Sequence, residues 1–209
     1  MPGIYSLSPY TAEEVIARNY ILDEKPDCVI NIVDATNLER NLYLTTQIME
    51  IDVPMIIALN MMDAVKKAGD SIDALELQDR LGIPVVEISA LKSKGIAEAA
   101  EASIEASSDE GRAPYAKFDK RVEGAIEKIS ALLGDTDLNK RWYAVKLFER
   151  DSRVIESLSL PSETLDEIEK IIAKTELELD DDAEAVITNE RYLYIDKILK
   201  GCYVKKSIG

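Results

Sequence analysis

Three short apolar runs, rich in β-branched residues and separated by helix-length stretches, constrain the fold of this chain more than any other feature of its sequence. They are Asp27 to Asp34, Pro54 to Asn60 and Ile83 to Ser89. Runs of this length that stay apolar throughout, each followed by a helical pattern, are the mark of strands buried on both faces of a parallel sheet. The fold class expected is therefore α/β. Ahead of the first run, Thr11 and Glu14 make a capping box before Val15, Ile16 and Ile21, which predicts an additional helix there.

The pattern changes after Ile104. Residues 106–114 are small and polar with Gly111 and Pro114, as a linker would be. Beyond it the strands stop and helical stripes take over. Phe118, Val122, Ile126, Ile129 and Leu133 run into Gly134 as a helix C′ residue, and Leu138, Trp142, Val145 and Phe148 form a second stripe. A third helix, with Ser162 as its cap, carries Leu165, Ile168, Ile171 and Ile172; a last one with Ile187, Ile195, Ile198 and Leu199 ends at Gly201. The organisation expected is a partial α/β domain over residues 1–107, a linker over 108–114 and a small helical bundle over 115–209.

Charge divides along the same line. The chain carries 25 Lys and Arg against 40 Asp and Glu, a net charge of −15. Residues 1–110 hold 8 basic and 20 acidic side chains, whereas 111–209 hold 17 and 20. So acidic a chain has no basic face for nucleic acid, and no nucleic-acid partner is expected. Histidine is absent, which removes imidazole as base, metal ligand and pH switch. The two cysteines, Cys28 and Cys202, are too far apart for a metal-binding pair, and Cys28 in its apolar run reads as a buried reduced thiol of a cytoplasmic protein. No stretch reaches the ~20 apolar residues of a membrane span, and no signal peptide is visible, so a soluble chain is expected.

In an open parallel sheet, ligands bind beyond the carboxyl ends of the strands. The second run ends in Asn60-Met61-Met62-Asp63 and the third in Ser89-Ala90-Leu91-Lys92. Guanine presents two adjacent donors, N1–H and the exocyclic amine, and one carboxylate accepts both; Asp63 fits that role, and adenine could not reciprocate. Asn60 would tie the loop and reach the purine edge, and the Ala90 N–H would donate to the guanine carbonyl oxygen. Asn60 and Asp63 could equally be helix caps, and the tetrad alone is divided between the two readings. The second motif, in the right order one βα unit later, tips the balance to guanine.

The acidic run Glu176, Glu178, Asp180, Asp181, Asp182 and Glu184 lacks the spaced ligands and Gly turn of a calcium loop, so it reads as a solvated loop with Asp181 or Asp182 capping a helix. No metal site and no catalytic residue is assigned. Asp34 and Asn37, after the first strand, read as a turn and cap.

With these motifs in view, the sequence resembles the cytosolic GTPase domain of the ferrous iron transport protein B (FeoB) family. The resemblance rests on Pro2 to Thr11, Glu13-Glu14 and Asn60 to Asp63, and it extends into the helical half through Arg141 to Glu149 and Glu190-Arg191-Tyr192. It covers nearly the whole chain. It implies that Gly3, in the family's D-x-P-G motif, offers its amide to the nucleotide γ-phosphate, and that residues 4–21 form the second switch region. Met61 would cover one face of the base where many G proteins use lysine, and Ser89, Ala90 and Leu91 would complete the nucleotide site.

The cofactors implied are GTP and GDP, with Mg²⁺ in the intact family site. The partners are the guanine nucleotide and the transmembrane portion of the same transporter, on the cytoplasmic side of the membrane. The motif's aspartate and a G-x-x-x-x-G-K-[ST] phosphate loop do not occur in the sequence. The expectation is therefore weak guanine binding and no GTP hydrolysis by this polypeptide alone. The Cys28 strand would lie at a sheet edge, inviting self-association, and a non-catalytic module docking on a partner through that edge is the alternative function.

Overall fold

The computed structural model describes residues 4–8, 11–108, 114–135 and 138–206. The chain divides into two compact units, Met1–Tyr115 with Ile195–Gly209, and Ala116–Tyr194.

In the first unit, helix α1 (Ala12–Glu24) begins at the expected capping box: the Thr11 hydroxyl accepts the Glu14 N–H, and the Glu14 carboxylate accepts the Thr11 N–H. Strand β1 (Val29–Asp34), helix α2 (Leu38–Ile51), strand β2 (Met55–Asn60), helix α3 (Met62–Ala68), strand β3 (Ser71–Ile72), helix α4 (Ala74–Leu81), strand β4 (Val85–Ile88) and helix α5 (Ile96–Ser108) follow. The three strands expected from the apolar runs form one parallel sheet in the order β1-β2-β4. Strand β2 is central, and Met55 through Leu59 are all buried, which is why its sequence shows no polar alternation. On one face Ile56, Ala58 and Ile88 meet Ala99 of α5 in a compact apolar cluster.

Strand β1 is one edge of this sheet among the described residues, and β4 the other. Ile30 and Ile32, in register with Ile56 and Ala58, are 46% and 63% exposed. Cys28 precedes the strand and is half-buried against the α5-facing cluster, so the expectation of a buried thiol holds only in part.

The sequence patterns gave no hint of a second, two-stranded ribbon. Strand β3 pairs antiparallel with Tyr203–Val204, Ser71 opposite Val204 and Ile72 opposite Tyr203. Segments this short carry no period of their own.

The second unit is helical. Helix α6 (Lys120–Leu132) packs against α7 (Lys140–Phe148) and α9 (Ser162–Leu179), with α8 (Ser152–Leu158) beside α7; α10 (Ala183–Leu199) begins here and ends in the first unit. Val122, Ile126, Ile129, Trp142, Val145, Phe148, Ile172 and Ile187 form its core. Gly134 follows α6 with φ +68°, as a C′ residue does. Asp182 caps α10, its carboxylate accepting the Ala185 N–H. Ser162 is not the cap of α9 but its first residue; Pro161 holds the cap position and offers no side-chain acceptor.

Glu149, just past α7, is buried between Lys146 and Arg191, 2.7 Å from each. Burial works against its charge, but Arg191 and Lys146 overcome this and hold its carboxyl down at about 2. The acidic run is less free than its composition suggests, since Glu176 accepts the Ala183 N–H and pairs with Arg150.

Candidate functional site: the carboxyl edge of the sheet

Asn60 and Ile88 are register partners at the carboxyl ends of β2 and β4, so the loops that follow them leave the sheet side by side. Two contacts join these loops. The Asn60 Oδ1 accepts the backbone N–H of Ala90 at 3.2 Å, and the Lys92 ammonium lies 3.2 Å from Asp63 Oδ2. Thus the structure brings Asn60 and Asp63 together with the Ser89-Ala90-Leu91 segment. Gly3 lies outside the described residues.

Neither Asn60 nor Asp63 holds the cap position of α3: Met61 does, and its side chain makes no cap hydrogen bond. Met61 also has a left-handed backbone, φ +68°, a conformation that a residue with a flexible apolar side chain seldom adopts. This turn reverses the chain between Asn60 and α3, leaving Met61 partly exposed and Asp63 in the open first turn of the helix.

On the neighbouring loop, Ser89 and Lys94 exchange both backbone hydrogen bonds, closing a tight loop around Ala90–Lys92. Ser93 and Gly95 take left-handed conformations to complete it. Leu91, at its tip, is 94% exposed. Lys92 is the residue whose role the motif reading left unassigned. Its hydrogen bond and charge hold the Asp63 carboxyl below the usual carboxylate range, so Asp63 is an ionised acceptor at neutral pH.

Chemically, the edge offers one exposed carboxylate held by Lys92, one amide side chain whose oxygen already takes the Ala90 N–H, and two apolar side chains, Met61 and Leu91. Asp34 ends β1 on the same edge, but its carboxylate is engaged locally by the N–H and hydroxyl of Thr36 and by Asn37, a turn and cap as expected. Gln47 of α2 accepts the Leu7 N–H at 2.7 Å and the Ser6 hydroxyl, pinning the segment before α1.

Two family models match in sequence order, ferrous iron transport protein B over residues 1–103 and the FeoB cytosolic helical domain over 118–204. The chain belongs to the FeoB family. An Fe(2+) transporter FeoB of Methanocaldococcus jannaschii is 42% identical over 99% of this chain and 32% of its own length. A Porphyromonas gingivalis Fe(2+) transport protein A/Fe(2+) transporter FeoB fusion protein is 38% identical over 97% and 26%. The chain thus spans about a quarter to a third of these FeoB relatives.

Among solved structures, those of NFeoB from S. thermophilus superimpose closely. One bound to GDP·AlF4− and K+ gives a TM-score of 0.90 at 44% identity, covering 96% of this chain and 79% of that one. Another, bound to mGMPPNP, gives 0.88 at 41%, covering 100% and 80%. In the FeoB family, then, this chain corresponds to a G domain followed by a cytosolic helical domain, and no helix among its described residues is long and apolar enough to cross a membrane.

Proposed function

We propose that this chain is the guanine-reading part of a FeoB cytosolic region, in which nucleotide binding controls ferrous iron uptake through the transmembrane portion of the same transporter. The observation that carries the reading is the pair of cross-loop contacts, Asn60 to Ala90 and Asp63 to Lys92, at the carboxyl edge of a parallel sheet. Asp63 accepts the two adjacent donors of guanine, Asn60 braces the loops, and the Ala90 N–H, which Asn60 Oδ1 accepts in this structure, passes to the guanine carbonyl oxygen on binding. Met61 and Leu91 cover the base, Ser89 shapes the loop, and Gly3 offers its amide to the γ-phosphate. The nucleotide-bound FeoB structures from S. thermophilus support this assignment.

In sequence order, residues 1–107 are the partial G domain, 108–114 the linker and 115–209 the helical regulatory domain, although from Ile195 onward the chain belongs to the first compact unit. Because the sequence holds no phosphate loop, the 209-residue polypeptide binds GDP weakly and does not turn over GTP by itself. In the intact site the phosphates and Mg²⁺ would be held by that loop, and nothing among Asn60, Asp63 and Ala90 replaces it.

Calorimetric titration at high protein concentration, with GDP and separately with ADP, tests the reading. Heat with GDP only, lost in Asp63→Ala, supports it; equal heats with both nucleotides refute it.

A second reading is favoured by one observation, the exposure of Ile30 and Ile32 at the edge strand β1. An open edge of this kind pairs with another strand, so the chain would act as a docking module or a homo-oligomer. Light scattering showing only monomer at high concentration removes the homo-oligomer.

A further inference from the structure

Asp63 stands in the first turn of a helix only seven residues long, and the far end of that helix is fastened to the last described residues of the chain. At its C-terminal end, Gly69 and Asp70 close α3 by donating backbone N–H groups to Lys66 and Val65. The Asp70 carboxylate then takes two donors from 133 and 136 residues away. Oδ1 accepts the Lys206 backbone N–H at 2.9 Å, and Oδ2 accepts the Tyr203 hydroxyl at 3.3 Å.

The approach is close. Gly69, at φ +87°, has the Lys206 side chain lying where a Cβ would stand. The ribbon is tied again just beyond, where the Asp73 N–H donates to the Cys202 carbonyl at 2.8 Å and Arg80 donates to the carbonyls of Lys197 and Ile198. All of these residues belong to the first unit.

The start of α3, by contrast, has no side-chain cap and follows a left-handed Met61. A seven-residue helix is about 10 Å long and moves as one rod. Its direction, and with it the place of Asp63, is therefore set by the burial of Met62 and Val65 and, at its far end, by Asp70. Bidentate recognition tolerates displacements of only about 0.5 Å. We propose that Asp70 is a positioning residue for guanine recognition: by clamping α3 to Tyr203 and Lys206 it holds Asp63 in register with Ala90, and it links occupancy of the base site to the order of segment 203–206. The proposal rests on the guanine reading above.

Burial and the adjacent Asp70 charge push the Tyr203 hydroxyl up, so it stays a proton donor to the carboxylate. Linkage requires the coupling to run both ways. If the clamp improves GDP binding, GDP must strengthen the clamp.

The test compares wild type, Asp70→Ala and Asp70→Asn by amide hydrogen exchange and by titration with GDP and ADP. In Asp70→Ala, exchange at Ala64 and Val65 of α3 accelerates in the absence of nucleotide, and GDP binds about fivefold or more weakly. Asp70→Asn keeps an acceptor for the Lys206 N–H and restores both properties. In wild type, GDP slows exchange at Tyr203–Lys206, and in Asp63→Ala it does not.

The proposal is overturned if Asp70→Ala frees the Lys206 amide while α3 exchange and GDP affinity match wild type; Asp70 would then hold only the chain end. Equal titration of wild type by GDP and ADP refutes the guanine reading, and the recognition role of Asp70 with it. The exchange of α3 in Asp70→Ala still separates that failure from a failure of the clamp. An unchanged circular dichroism spectrum shows that the variant is folded.

Discussion

The side-chain oxygen of Asn60 accepts the backbone N–H of Ala90 at 3.2 Å, joining two loops that are thirty residues apart in the chain. The bond ties the carboxyl ends of two neighbouring parallel strands and holds the Ala90 amide that guanine binding would draw away from Asn60. Because the bond is exposed, its removal costs stability little, about 1 kcal/mol or less. Asn60→Ala should therefore leave the melting temperature within a few degrees of wild type while exchange of the Ala90 amide accelerates clearly, as NMR hydrogen exchange would show. A large loss of stability would mean that Asn60 serves the core and not the edge.

Lys92 holds the charge of Asp63. Lys92→Met should raise the Asp63 pKa toward that of an ordinary aspartate, which carboxyl-carbon NMR titration reads directly. The same variant should leave the fold intact, since both side chains are more than half exposed.

Gly95 closes the loop that presents Ala90. At φ +74°, a Cβ there would press on the Glu87 carbonyl oxygen and lie 3.1 Å from the Ile88 Cα, both backbone atoms of the β4 end. Gly95→Ala should cost about 2 kcal/mol or more and displace the Ser89–Lys92 loop, combining left-handed strain with a backbone clash. Urea unfolding and the Ala90 amide shift would report the two effects separately.

In the helical unit, Glu149 ties Lys146 of α7 to Arg191 of α10. Its carboxyl is lowered from 4.5 to about 2 on folding, so its contribution to stability is complete above about pH 4.5 and is lost as pH falls toward 2. Glu149→Gln should destabilise by about 3–5 kcal/mol at neutral pH, because it leaves two buried cations without their carboxylate. The gap in melting temperature between Glu149→Gln and wild type should narrow as pH is lowered through this window. A gap that stays constant from pH 5 to pH 2 would show that Glu149 is not ionised in the fold.

The sequence by itself determined the parallel sheet, because a strand buried on both faces must be apolar at every position, as Met55 to Leu59 are. It also determined the capping box at Thr11 and Glu14 and the helical stripes around Ile126 and Trp142, since these are local patterns written within one turn or one period. The FeoB resemblance was legible for the same reason: Asn60-Met61-Met62-Asp63 and Ser89-Ala90-Leu91 are contiguous, and each follows its own strand. Only the tertiary structure decided what depends on residues distant in the chain. The left-handed turn at Met61, the bond from Asn60 to Ala90 and the hold of Lys92 on Asp63 require two loops to meet. The ribbon of β3 with Tyr203–Val204 requires Ser71 to meet Val204 across most of the chain, and two-residue strands carry no pattern that could announce it. Local periodicity records how a segment buries itself; which polar groups then come together is fixed by packing between segments.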